Sequence, residues 1–494
     1  MKLENKLYFG DNLQIMRKYI SDDSIDLIYL DPPFNSKATY NILFEEKNGT
    51  RSRAQITAFE DTWHWGLESE EAYHEIVPKG SKKLSDLIQS LRSFLGQNDM
   101  MAYLTMMAIR LVEMHRILKP TGSIYLHCDP TASHCLKLVM DAVFGTKNFK
   151  NEIIWHYRRW TAVSNKFQRL HDNILFYTKS NNYTFNTQYE PYGDWIEKDY
   201  SYVGEDGKHW RWHTVKGKRY KVYLEDKDKG VKIGDVWQIP FIGSTAKERL
   251  GYPTQKPEAL MERIIKVSSN KGDLVCDPFC GCGTTIAVAE SLNRHWIGID
   301  ITYLAVNLMK RRLKGTFGTE LSPYEVFGVP KDLHSAEALA EQSRYQFEWW
   351  ALDLIDAHPY QDKKKGADSG IDGIIYFFDD NSGIAKKIIA QVKSGNVSRG
   401  QIATLKGDME REKAEIGAFI TLEEPTRPMI EEAISTGFYE PEFLQGKKYP
   451  NIQILTIKEL LEGKKLTYPR IMPEATFKIA KRKRKSGEQG ELIY

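Results

Sequence analysis

The chain has few cysteines, little net charge and no long apolar run, and each scarcity removes a class of answer. Five cysteines in 494 residues is an odd count, and Cys276, Cys280 and Cys282 crowd one glycine-rich segment. A disulfide framework is therefore excluded as the organising device, and a reducing compartment fits. A zinc reading of those three, or of His127-Cys128 with His134-Cys135, lacks two clean CxxC pairs, so small buried thiols are expected. No stretch approaches the roughly 20 apolar residues that span a bilayer. Met1-Lys2-Leu3-Glu4-Asn5-Lys6 has no apolar secretory core, so a cytoplasmic protein without a membrane is expected. A net charge of +3 is nearly neutral, so any surface for a polyanion must come from local clustering.

What remains is a folded chain of several domains. Its length predicts about two to four of them, and 41% hydrophobic with 27% charged residues is a globular balance. Over residues 1–315, short β-branched runs alternate with amphipathic segments, the pattern of α/β units around a mostly parallel, doubly wound sheet. Ile25-Asp26-Leu27-Ile28-Tyr29-Leu30 reads as a buried strand that ends at Asp31, because Pro32 and Pro33 cannot continue a ladder. Ala102 to Leu118 reads as a helix and Ser123 to His127 as the next strand. From about 181 to 250 the periodicity fails and aromatic and basic residues mingle, as in Trp210-Arg211-Trp212-His213 and Lys216-Gly217-Lys218-Arg219-Tyr220. This reads as an insertion on the sheet. Regular patterning resumes with a helix from Pro257 to about Ser269, a strand at Asp273 to Cys276, a helix from Thr284 and a strand at Trp296 to Ile299. Residues 316–340 read as a linker, 341–470 as a smaller α/β domain, and 471–494, with Lys481-Arg482-Lys483-Arg484-Lys485, as a basic disordered tail.

Asp277-Pro278-Phe279-Cys280-Gly281-Cys282-Gly283-Thr284-Thr285 lies between a strand and a helix, where glycines let the backbone approach a ligand. The next strand ends at Asp300, about 20 residues on, which places a carboxylate where ribose hydroxyls could donate to it. The third glycine of a dinucleotide fingerprint is missing, which weakens that reading in favour of a nucleoside ligand.

Asp31-Pro32-Pro33-Phe34 follows a buried strand, so its groups project at the same carboxyl edge of the sheet. The combination suits methylation of an exocyclic amine. The lone pair of such an amine is delocalised into the ring, and two acceptors on its hydrogens help localise it. Asp31 supplies one, the Pro32 carbonyl can supply the other, Pro33 stiffens the segment, and Phe34 offers a face on which an extruded base could stack. Alignment of amine, methyl carbon and leaving sulfur carries the rate.

Together these motifs resemble the amino-methyltransferases that act on DNA bases, in the β arrangement, over roughly residues 6–312. The resemblance implies a Rossmann-like fold and S-adenosylmethionine as cofactor. Asp31, Pro32, Pro33 and Phe34 would be catalytic, and Asp277, Pro278, Phe279, Gly281, Gly283, Thr284 and Asp300 would bind the cofactor. Thr254-Gln255-Lys256-Pro257 resembles the segment leading into the helix beside the loop, which adds Lys256 and Pro257; Gly10-Asp11-Asn12 resembles a motif that places Asp11 near the cofactor adenine. The family's target-recognition region falls where the aromatic and basic insertion lies, so Trp210, Arg211, Trp212, Lys218 and Arg219 are expected on double-stranded DNA. Aspartate at the head of the catalytic motif is typical of adenine-N6 enzymes, with cytosine-N4 as the alternative. A homodimer is compatible.

In the C-terminal domain, Gly366-Ala367-Asp368-Ser369-Gly370-Ile371-Asp372-Gly373, apolar Ile374 to Phe378, a turn at Asp380-Asn381-Ser382-Gly383 and Ile388-Ile389-Ala390-Gln391-Val392-Lys393 read as a hairpin. A turn centred between Asn381 and Ser382 sets Asp372 opposite Gln391, with Lys393 on the same face. This register favours Asp372 over Asp368 as the acid. The constellation resembles the PD-(D/E)xK nucleases, most closely Mrr-like restriction endonucleases, with Glu348 on a predicted helix as an additional acid. The resemblance implies that Asp372, Gln391 and a carbonyl near Val392 hold Mg²⁺ and that Lys393 orients a water. The alternatives are a nuclease fold that only binds DNA, and a whole chain that binds DNA without chemistry.

Overall fold

The computed structural model describes residues 5–33, 64–158, 165, 167–192, 195–224, 230–243, 246–250, 252, 254–360, 370–379, 385–441 and 446–469. Phe34, Asp368, the hairpin turn at 380–383 and the basic tail lie outside the described residues.

Nine strands form the larger sheet: β1 (Asn5–Phe9), β2 (Ile25–Leu30), β3 (Leu118–Cys128), β4 (Phe149–His156), β5 (His171–Thr178), β6 (Val236–Gln238), β7 (Leu274–Asp277), β8 (His295–Asp300) and β9 (Tyr324–Phe327). Their order is β6-β4-β5-β3-β2-β7-β8-β1-β9. Every pairing is parallel except those of β5 with β3 and β4, so only β5 runs against the rest. The near-continuous apolar runs of β2, β3 and β7 follow from this, because a parallel sheet is covered on both faces. One apolar core, with Ile28, Leu126, Met107 and Ile299, lies on one side, and another, with Leu27, Val275, Ile264 and Met309, on the other. The helix Asp99–Ile117 starts where the Asn98 side chain accepts the Met101 N–H at 2.9 Å, a side-chain cap, and is buried over most of its surface.

The smaller sheet has the order β10 (His358–Pro359), β11 (Gly373–Phe377), β12 (Lys386–Lys393), β13 (Ile416–Thr421) and β14 (Ile452–Thr456). β11 and β12 pair antiparallel through Gly373↔Ala390, which continues to Asp372 beside Gln391 as the sequence predicts; β12, β13 and β14 are parallel. Helices Arg344–Leu354, Arg399–Glu412 and Arg427–Ser435 accompany it.

Two expectations differ from the structure. Residues 316–340, read as a linker, carry β9, which pairs with β1 through Leu7↔Val326. They also hold most of a helix, Leu333–Gln342, whose Ala336 and Leu339 are buried in the second unit. A four-residue strand and a ten-residue helix are too short to show a period. Within 181–250 the chain returns to the main sheet as β6, set against β4 by Trp237↔Trp155 and by the Trp155 indole N–H donating to the Ile239 carbonyl at 2.8 Å. Among the described residues no helix is long and apolar enough to cross a membrane.

Candidate functional site

Parallel registry gathers five strand tips on one edge. Val275↔Leu27 and Cys276↔Ile28 set β7 beside β2, Leu30↔Leu126 sets β3 on its other side, and Phe9↔Asp300 sets β1 beside β8. With neighbouring strands about 4.8 Å apart, Asp31, His127, Asp277, Asp300 and the Gly10-Asp11 turn surround one region.

The loop after β7 is shaped by two glycines in the left-handed region, Gly281 at φ +50 and Gly283 at φ +73. A Cβ on Gly283 would lie 2.3 Å from Met309 Cγ, and one on Gly281 would lie 3.1 Å from the Tyr252 ring, so no larger residue fits the turn that opens helix Thr284–Ser291. The Pro278 carbonyl accepts from Asn12 Nδ2 at 2.9 Å, and the Phe279 N–H donates to Asp277 Oδ1 at 3.1 Å. Thr284 Oγ1 accepts from Arg312 at 2.9 Å, and Arg312 also pairs with Glu258 at 2.8 Å. Asp300 is a junction: Oδ2 accepts the Gly281 N–H at 2.9 Å, Oδ1 accepts the N–H and hydroxyl of Thr302 at 2.8 and 2.9 Å, and its carbonyl accepts the Gly10 N–H at 2.9 Å. Burial pushes the Asp300 carboxyl up, against the pull of the Thr302 and Gly281 bonds. Burial pushes Asp277 up to about 7; its Thr285 and Phe279 bonds resist, and the charges of Asp31 and Asp300 add to the rise.

Asp31 carries the chemistry best. One oxygen, Oδ2, is bonded by the Lys256 ammonium. The other, Oδ1, is buried without a hydrogen-bond partner and lies 4.0 Å from His127 Nδ1. His127 is wholly buried; its Nδ1 meets the Tyr29 hydroxyl at 2.8 Å and its Nε2 lies 3.4 Å from Asp172 Oδ2. Burial would raise Asp172, yet the His127 ring, the Lys256 charge and the Tyr157 hydroxyl bring it below the ordinary carboxylate value. Pro32 is buried and Pro33 half-buried directly after Asp31.

Other expected residues are placed less simply. Lys256, expected at the cofactor loop, reaches Asp31 instead, since an opposite charge at the neighbouring tip attracts it; Pro257 immediately precedes the helix Glu258–Ser268, which does pack beside the loop through Met261 and Thr285. Asp11 accepts the Gln14 N–H at 3.0 Å as a helix cap and pairs with buried Arg110 at 2.6 Å. In the insertion, Tyr202–Val203, His209–Val215 and Lys218–Tyr223 form a small sheet. Trp210 is stacked on Tyr202 at 4.6 Å under Lys221, Arg211 pairs with Asp199 at 2.7 Å, Trp212 is 43% exposed, and Lys218 and Arg219 are exposed. The Cys276, Cys280 and Cys282 thiols are buried, and Cys280 donates to the Ile299 carbonyl at 3.1 Å.

The nuclease-like constellation is only partly assembled. Asp372 Oδ2 accepts the Val392 N–H at 2.6 Å and lies 3.9 Å from Lys393 Nζ. Val392 therefore faces Asp372 as a donor and not through its carbonyl. Gln391 donates its amide to Asp408 Oδ2 at 2.9 Å, and Asp408 in turn pairs with Arg411 at 2.7 Å. Glu348 is half-buried on the helix Arg344–Leu354. Among the described residues no group of three or more His, Cys, Asp or Glu side chains is arranged to hold a metal. Among the described residues, the bond from the Val392 N–H to Asp372 and the commitment of the Gln391 amide to Asp408 do not fit the expected Mg²⁺ ligand set of Asp372, Gln391 and a Val392 carbonyl.

Sequence reasoning missed His127 as a neighbour of Asp31, Asp172 as the partner on the far nitrogen of that ring, and Arg110 as the partner of Asp11. His127 had a signal: it ends the strand after β2, and parallel alignment of the two tips would have set it beside Asp31.

Known proteins resemble the chain along both of its units. A family described as DNA methylase (N6_N4_Mtase) matches residues 25–311, and one described as NACHT-associated inactive Restriction Endonuclease 1 matches residues 344–462. The chain is similar to the type II methyltransferase M.EcaI of Enterobacter cloacae, 29% identical over 399 residues, covering 70% of this chain and 77% of that protein. It is 33% identical over 205 residues to the DNA adenine methyltransferase YhdJ of Escherichia coli K12, covering 41% of this chain and 64% of that one. A solved structure of a putative DNA modification methylase from Thermus thermophilus, complexed with S-adenosyl-L-methionine, matches 65% of this chain and 96% of its own, with a TM-score of 0.35 and 17% identity.

Proposed function

Because the chain belongs to the N6/N4 DNA methylase family, which makes it an S-adenosylmethionine-dependent DNA methyltransferase, we propose that it methylates N6 of adenine in double-stranded DNA within a restriction-modification system. The observation that carries this is the buried, unpartnered Oδ1 of Asp31 at the strand tip beside the glycine loop. A buried acceptor left unpaired costs about 1–3 kcal/mol, and an amine hydrogen of a flipped base would satisfy it.

The cofactor fits this edge on two grounds: the loop at Gly281 and Gly283 admits no side chain, and the buried Asp277 carboxyl, pushed up to about 7, ionises more readily beside a positive ligand. Asp300 would take the ribose hydroxyls, Asp277 and the backbone of Phe279 and Gly281 the cationic end, and Asp11 a more distant position because Arg110 engages it. When bound, the cofactor supplies an electrophilic methyl group on a sulfonium. Asp31 then accepts one amine hydrogen through Oδ1, the Pro32 carbonyl takes the other, and Asp31 receives the proton that the amine loses. Lys256 fixes the carboxylate through Oδ2 so that Oδ1 faces the base. Trp212, Lys218 and Arg219 would meet DNA from the insertion, with Trp210 and Arg211 supporting them from below.

Adenine is favoured by the aspartate at position 31, and the E. coli relative is named an adenine methyltransferase. For the C-terminal unit, the capped Asp372 and the diverted Gln391 support a nuclease-like fold that does not cut. Transfer of a labelled methyl group to DNA, followed by nucleoside digestion, tests the reading. N6-methyladenine is expected, N4-methylcytosine would correct the base, and no label in any polynucleotide would overturn it.

A further inference from the structure

The C-terminal unit touches the methyltransferase at one sensitive place, the start of the helix Tyr303–Phe317, three residues after Asp300. The first N–H groups of a helix have no partner within it. Here the Thr302 hydroxyl accepts the Ala305 N–H at 3.3 Å, but the Tyr303 N–H is taken by a side chain from the other unit, Gln346 Oε1, at 2.8 Å. Gln346 is itself 9% exposed. The Tyr303 ring is buried in the core of the C-terminal unit with Phe347 and Trp350, and it meets the Phe9 ring edge-on at 5.1 Å. Further along the helix, Lys310 and Arg311 pair with Asp353 at 2.7 and 3.3 Å, and Asn307 donates to the Trp349 carbonyl at 3.5 Å.

The contacts bear on Asp300 from both sides. Thr302, whose N–H and hydroxyl both bond the Asp300 carboxylate, is the residue before Tyr303. Gly10, which donates to the Asp300 carbonyl, is the residue after Phe9. One residue, Tyr303, is thus held by Gln346 at its N–H and by the foreign core at its ring, and it adjoins Thr302 in sequence and touches Phe9, the residue before Gly10.

We propose that the nuclease-like unit acts as a brace for the cofactor pocket, with Gln346 as a positioning residue that holds the Thr302-Tyr303 helix start and thereby the Asp300 carboxylate. The brace acts on S-adenosylmethionine only if the cofactor binds at Asp300, so it rests on the methyltransferase reading of that site. Gln346→Leu leaves the Tyr303 N–H buried without an acceptor; Gln346→Glu keeps an oxygen at the same reach.

The test is equilibrium dialysis of the full-length chain with labelled S-adenosylmethionine, alongside steady-state kinetics and amide exchange of the cofactor-free protein. Gln346→Leu is expected to raise the cofactor Kd and KM about tenfold, the loss of roughly one hydrogen bond. Its kcat at saturating cofactor should stay within about twofold, and exchange at Gly281, Thr302 and Tyr303 should quicken. Gln346→Glu should restore the wild-type Kd within about twofold. If Gln346→Leu does not fold, Gln346→Asn, one methylene too short to reach Tyr303, carries the same expectation. Wild-type affinity and exchange in the out-of-reach variant, or a Gln346→Glu protein as impaired as Gln346→Leu, would overturn the brace alone. A wild-type chain that binds no cofactor would instead overturn the methyltransferase site.

Discussion

Replacing Asp31 by Asn tests the site through hydrogen-bond polarity as much as through charge. In the native site Oδ2 faces the Lys256 ammonium and Oδ1 is open. An amide in the same place must turn its oxygen to Lys256, because the alternative sets NH₂ against ammonium. The NH₂ then points where the base amine presents its own hydrogen, donor against donor. The reaction loses a charge-assisted hydrogen bond worth about 1.5–3 kcal/mol and gains an unsatisfied donor at about 1–3 kcal/mol. Taken together this is roughly 2.5–6 kcal/mol, a rate loss of about 10² to 10⁴ at 1.36 kcal/mol per factor of ten. The fold should be kept, since the Lys256 contact survives, and cofactor Kd should stay within about twofold. Single-turnover transfer of a labelled methyl group to DNA measures the rate, and dialysis measures Kd. An Asp31→Asn protein that binds cofactor normally and retains more than about a tenth of the wild-type rate would refute the role given to Oδ1.

Four further outcomes are expected. With Asp277 held up at about 7 against an ordinary 3.8, the folded protein keeps a proton through that window that the unfolded chain has released, so this residue's contribution to stability falls as pH rises to about 7 and is level above it. A cationic cofactor favours the ionised form, so affinity should rise with pH up to about 7 and a proton should be released on binding near pH 6; calorimetry in two buffers of different ionisation enthalpy checks this, and Asp277→Asn should abolish it. Gly283→Ala forces a Cβ to 2.3 Å from Met309 Cγ at φ +73 and should cost about 1–3 kcal/mol by overpacking, read as a lowered Tm. Trp212→Ala should weaken DNA binding by about 1–3 kcal/mol if it stacks on a base, and Lys218→Ala should reduce the slope of log K against log salt by about 1, both with cofactor affinity unchanged. Plasmid incubated with Mg²⁺ should remain intact for wild type, Asp372→Ala and Lys393→Ala alike; cleavage lost in both variants would restore a nuclease.

Where the period of an element was long enough to read, the sequence located it closely. The strand ending before Asp31-Pro32-Pro33, the loop from Asp277 to Gly283 and the Asp372–Gln391 register all follow from alternation, proline geometry and glycine spacing. What stayed hidden depends on contacts between distant segments. Nothing near Lys256 announces Asp31, 225 positions away, and a glutamine within an aromatic helix does not reveal that it caps another unit's helix at Tyr303. Short elements such as β6 and β9 carry too few residues to display alternation. In the C-terminal unit the register was legible, yet the use of Gln391 was not, because Asp408 lies on a helix whose docking no local pattern specifies.

The placement of β1 has a consequence for how the polypeptide is made. Its five residues lie between β8 and β9, paired through Lys6↔Ile297 and Leu7↔Val326, so a segment near the start must wait for partners translated about 290 residues later. At about 5–20 residues per second the delay is roughly 15–60 s. Until then Leu7 and Tyr8 have no neighbours on either flank, and the pocket that Gly10 and Asp300 build together does not exist. A ribosome-bound chain halted before residue 295 should therefore expose this strand to chaperones and to aggregation, and activity should appear only late in synthesis.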